Sequence, residues 1–174
     1  ILGKGILELT DIISSPYPGA SVVPSICRAT FDRRTLVGED EALILGQVEE
    51  AIEKARKKVP DLKARVFLAE GKEQCWTGET IEAKRYFPAW LIDEKDELVQ
   101  KALAGLKEAG IDAPISHFSF CTNGSHFCGE AGIPCIGFGP SLESLAHVRD
   151  EYIEVEQLKK ACRGFYGILS QLTK

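Results

Sequence analysis

The order of the predicted elements in the first half of the chain is the feature that most restricts its fold. Residues 5–13 alternate between apolar and polar side chains, and residues 22–35 form a second strand-like run. Between residues 39 and 58 apolar side chains recur every three or four positions, with acids at the front and bases at the back, which predicts a helix. Residues 62–69 are predicted to form a third strand, and residues 70–92 to be irregular.

This β-β-α-β order is incomplete as a fold. It is what remains of a ferredoxin-like β-α-β-β-α-β sandwich after its first strand and helix are removed. The strands of that sandwich lie in the order 4-1-3-2, so losing strand 1 leaves the last strand, residues 62–69, without a hydrogen-bonding partner. Losing the helix uncovers one face of the sheet. We therefore expect the missing β-α pair to come from elsewhere.

The second half has a different pattern, α-β-α-β-α. Its elements are predicted over residues 93–110, 115–121, 125–131, 132–139 and 155–172. Asp93 is the expected N-cap of the first helix and Gly110 its C-cap. The second strand is almost uniformly apolar, which is typical of a buried parallel strand. The chain is thus predicted to be α/β, with two domains over residues 1–88 and 89–174.

Composition excludes some partners and points to a compartment. The 174 residues carry 21 basic and 26 acidic side chains, a net charge of −5, so no broad positive surface for nucleic acid or an anionic membrane is expected. No apolar run approaches the roughly 18 residues of a membrane span. The six cysteines form no CxxC pair, and we expect them to be buried thiols in a reduced, cytoplasmic protein. Because the chain contains no methionine, even at position 1, we interpret it as a fragment.

Two sets of residues are candidates for a site. His147 lies in the loop that follows the predicted strand 132–139, and ligands bind at the carboxyl ends of parallel strands. The alternative for His147 is a surface or capping histidine. Arg33 and Arg34 end the second strand on opposite faces, so at most one of them points at a given site. An arginine there could hold a substrate carboxylate, or both could simply be solvated.

A polar turn, Cys-Thr-Asn-Gly-Ser-His, occupies residues 121–126. Thr122, Asn123 and backbone N–H groups of this turn could bind a ligand, and a plain tight turn is the alternative. Cys121 beside His117 or His126 could indicate a Cys–His hydrolase, but no orienting acid is recognisable in the sequence.

Four motifs together resemble the M20 family of metallopeptidases and deacylases, in particular its acetylornithine deacetylase-like and YgeY-type hydrolases. The motifs are VVPSICRATFDRR at residues 22–34, CTNGS at 121–125, GIPCIGFGP at 132–140 and AHVRDEY at 146–152. The resemblance implies a catalytic α/β domain that binds a pair of zinc ions, with cobalt as an alternative metal. It also implies an inserted α+β lid that forms the dimer. Residues 1–88 would be most of this partial ferredoxin-like lid, and residues 89–174 the C-terminal part of the catalytic domain.

The resemblance also assigns roles to single residues. His147 matches the last metal ligand of the family, and Arg34 matches the lid arginine that reaches the substrate carboxylate. Thr122, Asn123 and Gly124 match the loop that faces the substrate. The catalytic residues and the other metal ligands of the family would lie upstream of this chain. Two positions depart from the family pattern: His126 replaces an arginine found in some relatives, and Ser21 replaces a common asparagine.

The resemblance thus implies a zinc-dependent amide hydrolase that acts on an N-acyl amino acid or small peptide when the missing N-terminal portion is present. The isolated chain is expected to be inactive. The rival interpretation is a non-catalytic, lid-based binding or dimerisation module, because the chain supplies a single plausible metal ligand and a catalytic zinc needs about three. In either case we expect a homodimer that pairs through residues 5–13 or 39–58.

Overall fold

The computed structural model describes residues 3–174 and divides the chain into two compact units. One ends at Pro88 and the other comprises Ala89–Lys174. The first unit contains β1 (Ile6–Ser15), β2 (Ile26–Arg34), α1 (Glu41–Arg56), β3 (Glu70–Gln74) and β4 (Thr80–Lys84). The second contains α2 (Glu97–Glu108), a π-helical turn (Ser125–Glu130), a short 3₁₀ helix (Glu143–Leu145) and α3 (Val155–Leu172). The mixed α/β class is confirmed. No helix of the described residues is long and apolar enough to cross a membrane.

A bulge in β1 determines which side chains of the first hairpin share a face. The antiparallel register of β1 and β2 shifts by one residue between Leu9 and Asp11, so Thr10 has no direct partner. Because of this shift, Ile12 lies on the same face as Leu9 and its partner Phe31. Strict alternation would have placed Ile12 on the opposite face. Both predicted strands of this hairpin are confirmed, and its apolar face is largely exposed.

The predicted helix of the first unit is confirmed as α1, and side chains fix both of its ends. The carboxylate of Asp40 is the N-cap and accepts a hydrogen bond from the Leu43 N–H at 2.8 Å. At the other end, the Arg56 guanidinium donates to the carbonyl oxygens of Leu62 and Ala64, at 3.3 and 2.8 Å. Arg56 therefore holds the segment that follows α1 against the last turn of the helix.

The strand predicted at residues 62–69 is wrong, although the segment keeps the side-chain pattern of a strand. Half-buried and exposed residues alternate along it, but it belongs to neither of the two sheets of the described residues. In the strand order 4-1-3-2 this strand pairs only with strand 1, and the described part of the chain contains no such strand. Two of its carbonyl groups find a partner in Arg56 instead of a ladder.

The segment predicted to be irregular contains a second hairpin, which is a further correction. β3 and β4 pair antiparallel around a turn where Gly78 has φ +90°, a conformation that suits glycine. Lys72 and Glu82 lie opposite each other and form an ion pair. Trp76 in the turn is 97% exposed. Apolar periodicity could not predict these strands, because almost all of their residues are exposed.

Two helices form the packed part of the second unit. α2 and α3 approach each other so closely at Gly105 and Gly167 that a Cβ atom at either glycine would overlap the backbone of the other helix. The buried cluster beside this crossing consists of Ala102, Leu106, Ile111 and Ile168. Both helices are thus confirmed, and glycine at the crossing allows their backbones to meet.

The capping of α2 confirms one predicted end and corrects the other. Gly110 has φ +73°, and its N–H bonds to the carbonyl of Lys107, while the Ile111 N–H bonds to that of Leu106. These two bonds form a Schellman motif, as expected for a C-terminal glycine. At the start of the helix the N-cap is Asp96 and not Asp93, because the Asp96 carboxylate accepts from the Leu98 N–H at 2.8 Å.

The strands predicted at residues 115–121 and 132–139 are wrong, because neither segment joins a ladder. Ile133, expected to be buried, is 52% exposed. The two segments do meet, since the Phe118 ring fills the space that a side chain at position 137 would need. A buried parallel strand needs neighbours for its backbone groups, and the described residues supply none here. The short helix predicted between them is confirmed as the π-helical turn.

The expectation of buried cysteines is also wrong. All six thiols are free, and each is exposed or only half-buried. Cys27, for example, lies on the uncovered apolar face of the β1–β2 hairpin, because its register partner Ser14 shares the face of Leu9.

The helix crossing generates a stability prediction. Gly105→Ala should destabilise the α2–α3 pair by about 1–3 kcal/mol, because the new methyl group overlaps the Gly167 backbone. Gly46→Ala is the matched control within α1, where a Cβ meets nothing within 4 Å and should stabilise the helix by up to about 1 kcal/mol. Native-state hydrogen exchange of the α2 and α1 amides measures each effect separately. Equal protection of α2 in wild type and Gly105→Ala would contradict the packing argument.

Candidate functional site

The loop that carries His147 is held at its start by α3. The Ser141 N–H donates to the side-chain oxygen of Gln157 at 2.6 Å, and Ser141 itself has φ +77°. A 3₁₀ turn at Glu143–Leu145 follows. The polypeptide therefore leaves Pro140 in a strained, hydrogen-bonded turn that directs it towards His147.

His147 lies in a second strained stretch of this loop. Its φ is +61°, in the left-handed region that non-glycine residues seldom adopt, and Asp150 follows with φ +57°. The His147 N–H donates to the Glu151 carboxylate at 3.0 Å, which fixes the turn around the histidine. His147 is exposed. A capping histidine would bond to the backbone of the turn through its side chain. In the structure it is the side chain of Glu151 that caps the turn, by accepting from the His147 N–H.

Glu143 ties the His147 loop to an earlier segment, which the sequence did not reveal. One oxygen of its carboxylate, Oε1, accepts from the Ser119 hydroxyl at 2.5 Å, the Ser119 N–H at 2.7 Å and the Phe120 N–H at 3.2 Å. The bond from the Ser119 hydroxyl, then those from the backbone, and the nearby His117 lower the pKa of Glu143 from its usual value. Glu143 is therefore an ionised anchor at neutral pH, and nothing in its own neighbourhood of sequence identifies these partners.

The turn predicted to face the substrate begins directly after this anchor point. The Thr122 hydroxyl accepts from the Gly124 N–H at 3.2 Å, and the Ser125 N–H bonds to the Thr122 carbonyl at 3.1 Å. Asn123 is exposed, and its carbonyl accepts from two N–H groups of the π-helical turn. Gly124 makes room for Trp90, because a Cβ there would lie 2.6 Å from the ring. The plain-turn alternative thus accounts for part of the sequence pattern at Thr122 and Gly124.

The thiol and imidazole considered for a Cys–His dyad have other neighbours. The Cys121 sulfur lies 3.6 Å from the Ser125 hydroxyl, and the His126 Nδ1 lies 2.8 Å from the Glu130 carboxylate. Glu130 follows His126 by four positions in the π-helical turn, and its carboxylate fixes the position of the imidazole. This arrangement gives a dyad of Cys121 and His126 no support.

Arg34 and Arg33, in the first unit, lie on opposite faces of the β1–β2 hairpin, as alternation predicts. Arg34 is half-exposed and pairs with Asp32 at 3.1 Å on the more polar face. Arg33 lies on the apolar face, where it donates to Glu39 at 2.6 Å and to Gln47 of α1 at 2.8 Å. Glu39 also accepts from the Leu36 N–H at 2.8 Å, so the pair fixes the connection between β2 and α1. Arg33 is therefore a structural residue, and Arg34 remains accessible.

The described residues do not bring together enough side chains for a complete metal site. The described residues contain no group of three or more His, Cys, Asp and Glu side chains that could hold a metal ion. A catalytic zinc takes about three protein ligands. His147 is an accessible imidazole on an anchored loop, so among the described residues it is available as a single ligand and is not part of a complete metal site.

Comparison with known proteins identifies the family. The model of the peptidase family M20/M25/M40 matches residues 8–171. The chain is 33% identical over 152 residues to the uncharacterized protein YgeY of Escherichia coli, in both strain K12 and O157:H7. That match covers 86% of this chain but 36% of each relative, so the chain spans little more than a third of their length. No solved structure matches. These matches confirm the resemblance carried by the four motifs, and the chain belongs to the M20/M25/M40 peptidase family.

Proposed function

We propose that this chain is part of a metal-dependent amide hydrolase that acts on an N-acyl amino acid or a small peptide. Family membership supports a metal-dependent hydrolase in general. The observation that carries the proposal is local: Glu143 fastens the strained loop of His147 beside the turn of Thr122 and Asn123. An exposed histidine in a loop that is hydrogen-bonded to the segment before a polar turn is a suitable arrangement for a site that binds both a metal and a polar substrate.

In this proposal the chain contributes one metal ligand and several substrate contacts. His147 would be the last ligand, and the remaining ligands and the catalytic acid or base would come from the part of the longer relatives that the chain does not cover. Zinc, or cobalt in its place, would act as a Lewis acid on the amide carbonyl. Asn123, whose side chain lies on an exposed turn, would hydrogen-bond the substrate, and Arg34 would hold its carboxylate.

We also propose that the first unit is most of an α+β lid of the ferredoxin-like type. Two features support this: the order β1, β2, α1 and then an alternating segment at 62–69, and the absence of a ladder partner for that segment among the described residues. The exposed apolar face with Leu9, 53% exposed, and Phe31, 49% exposed, would be covered by the helix that this order lacks. The missing strand and helix would belong to the uncovered part of the relatives.

The rival function, a non-catalytic binding or dimerisation module, has one specific observation in its favour: the described residues do not hold a complete metal site. The two functions differ in the longer protein, which either binds stoichiometric metal and hydrolyses an N-acyl amino acid or does neither.

Under either function we propose that the lid forms a homodimer, through strand β1 or helix α1. No strand of the described residues pairs with the outer edge of β1, so its N–H and C=O groups are open to a partner, and β1 carries exposed Ile6, Leu7 and Leu9. Sedimentation of the chain at tens of micromolar should give a dimer. A monomer at that concentration, with the fold intact, would contradict this pairing.

His147 provides the direct test of the metal assignment. In the longer protein, His147→Ala should lose one of the bound metal ions and most of the hydrolytic activity while the fold is retained. Elemental analysis measures the metal content, an activity assay the hydrolysis, and circular dichroism the fold. The 174-residue chain alone should hold no stoichiometric zinc. His126→Ala is the matched control, since it removes an exposed imidazole from the same unit without loss of metal. Full metal occupancy in His147→Ala would overturn the assignment.

The two arginines provide a matched pair for the substrate contact. In the longer protein, Arg34→Ala should lower kcat/KM, because the substrate carboxylate loses its charged partner. The loss should correspond to about 2–4 kcal/mol of transition-state stabilisation. Arg33→Ala should instead lower the free energy of unfolding by about 1.5–3 kcal/mol, because Glu39 loses a largely buried partner. Steady-state kinetics and denaturant unfolding of both variants separate the two effects. Equal kinetic losses would show that the strand face or the role of Arg34 is wrong.

A further inference from the structure

The carboxylate of Glu143 joins the two loops that the proposed function uses. Glu143 lies four positions before His147, in the 3₁₀ turn of the same loop. Its carboxylate accepts hydrogen bonds from the Ser119 hydroxyl and from the N–H groups of Ser119 and Phe120. These donors lie just before the turn of Thr122. The connection spans 23 to 24 positions of sequence, so it brings together segments that are not neighbours along the chain.

We propose that Glu143 is a positioning residue that sets the His147 loop and the Thr122–Gly124 turn in one geometry. The inference rests on the proposed function for its consequence, but its structural content stands on the hydrogen bonds alone. In this role Glu143 touches neither substrate nor metal. It acts through the Ser119 hydroxyl and the N–H groups of Ser119 and Phe120.

In the described part of the chain, the other hydrogen bonds of the His147 loop are internal to it or come from α3. Gln157 of α3 accepts from the Ser141 N–H, and Glu151 accepts from the His147 N–H four positions before it. These bonds shape the loop but do not relate it to the Thr122 turn. Phe118 packs against Gly137 just before the loop, and Glu143 adds hydrogen bonds between the loop itself and Ser119 and Phe120. Glu143 does so with a charged acceptor, whose hydrogen bonds are stronger than those of a neutral one.

The strain in the loop makes its conformation depend on its anchors. Ser141, His147 and Asp150 all have φ between +57° and +77°, a region that costs non-glycine residues conformational energy. A strained loop persists where its surroundings over-determine it, and removing one anchor allows it to relax. Relaxation would move His147 relative to the Thr122 turn, and a change of position of this kind weakens metal binding and catalysis without unfolding the protein.

The experiment compares wild type, Glu143→Ala and Glu143→Gln in the longer protein. Hydrogen–deuterium exchange is followed in peptides covering residues 117–121, 122–127 and 145–150. Glu143→Ala should lose protection in all three, including the His147 and Gly124 amides that Glu143 does not touch. Glu143→Gln should recover most of it, because the amide oxygen still accepts from Ser119 and Phe120. With Zn²⁺ as the probe, Glu143→Ala should bind about 10–100-fold more weakly, and Glu143→Gln close to wild type.

Ser144→Ala, in the same 3₁₀ turn, is the control and should match wild type in exchange and in Zn²⁺ affinity. Loss of protection confined to residues 117–121 would overturn the inference, because Glu143 would then make a local bond only. Lower stability with unchanged exchange at 122–127 and 145–150 would overturn it in the same way. If the wild-type protein binds no Zn²⁺, the proposed function fails, and the exchange pattern still decides whether Glu143 positions the two loops.

Discussion

The need of every extended segment for a hydrogen-bonding partner governs this structure. Residues 62–69, 115–121 and 132–139 all have strand-like sequences, and none of them joins a ladder in the described residues. A buried backbone N–H or C=O without a partner costs about as much as a lost hydrogen bond, so such segments stay near the surface. Their carbonyl and N–H groups then bond to side chains. Arg56 serves residues 62–64 in this way, and Glu143 serves Ser119 and Phe120.

The same constraint explains which elements could be predicted. Helices α1, α2 and α3 and the β1–β2 hairpin were predicted, because their hydrogen bonds and sequence patterns are local. The prediction extends to Gly110, whose left-handed conformation ends α2. The three strands that depend on distant partners were wrong, because a sequence pattern cannot state whether its partner belongs to the same chain. The β3–β4 hairpin was missed for the opposite reason. It is paired locally, but it buries almost nothing, so its only signals are a glycine turn and the charge pair of Lys72 and Glu82.

The candidate site divides in a similar way. The sequence located the His147 loop and the Thr122 turn, and it separated Arg33 from Arg34 by face, because each of these follows from order along one segment. It could not locate the link between the loop and the turn. That link is a single carboxylate oxygen whose donors lie 23 to 24 residues earlier. It also gave no sign that Arg33 fixes the connection between β2 and α1, since that role depends on Glu39 and Gln47 lying beside one face of the hairpin.

Several of the exposed apolar side chains lie on elements that lack a partner among the described residues. The exposed apolar side chains include Leu9 and Phe31 on one face of the β1–β2 hairpin, Ile133 in an unpaired segment, and Tyr166 and Leu169 on α3. On the hairpin, Leu9, Ile12 and Phe31 are neighbours on one face, and apolar surface of this kind marks an interface because leaving it in water is unfavourable. The α2–α3 crossing at Gly105 and Gly167 has no such deficit, since each backbone fills the space that the other glycine leaves. In the proposed lid and catalytic domain the packed helices would therefore form the fixed part of this chain. The hairpin face and the unpaired segments would be where the rest of the longer protein completes the sheets, and the site with them.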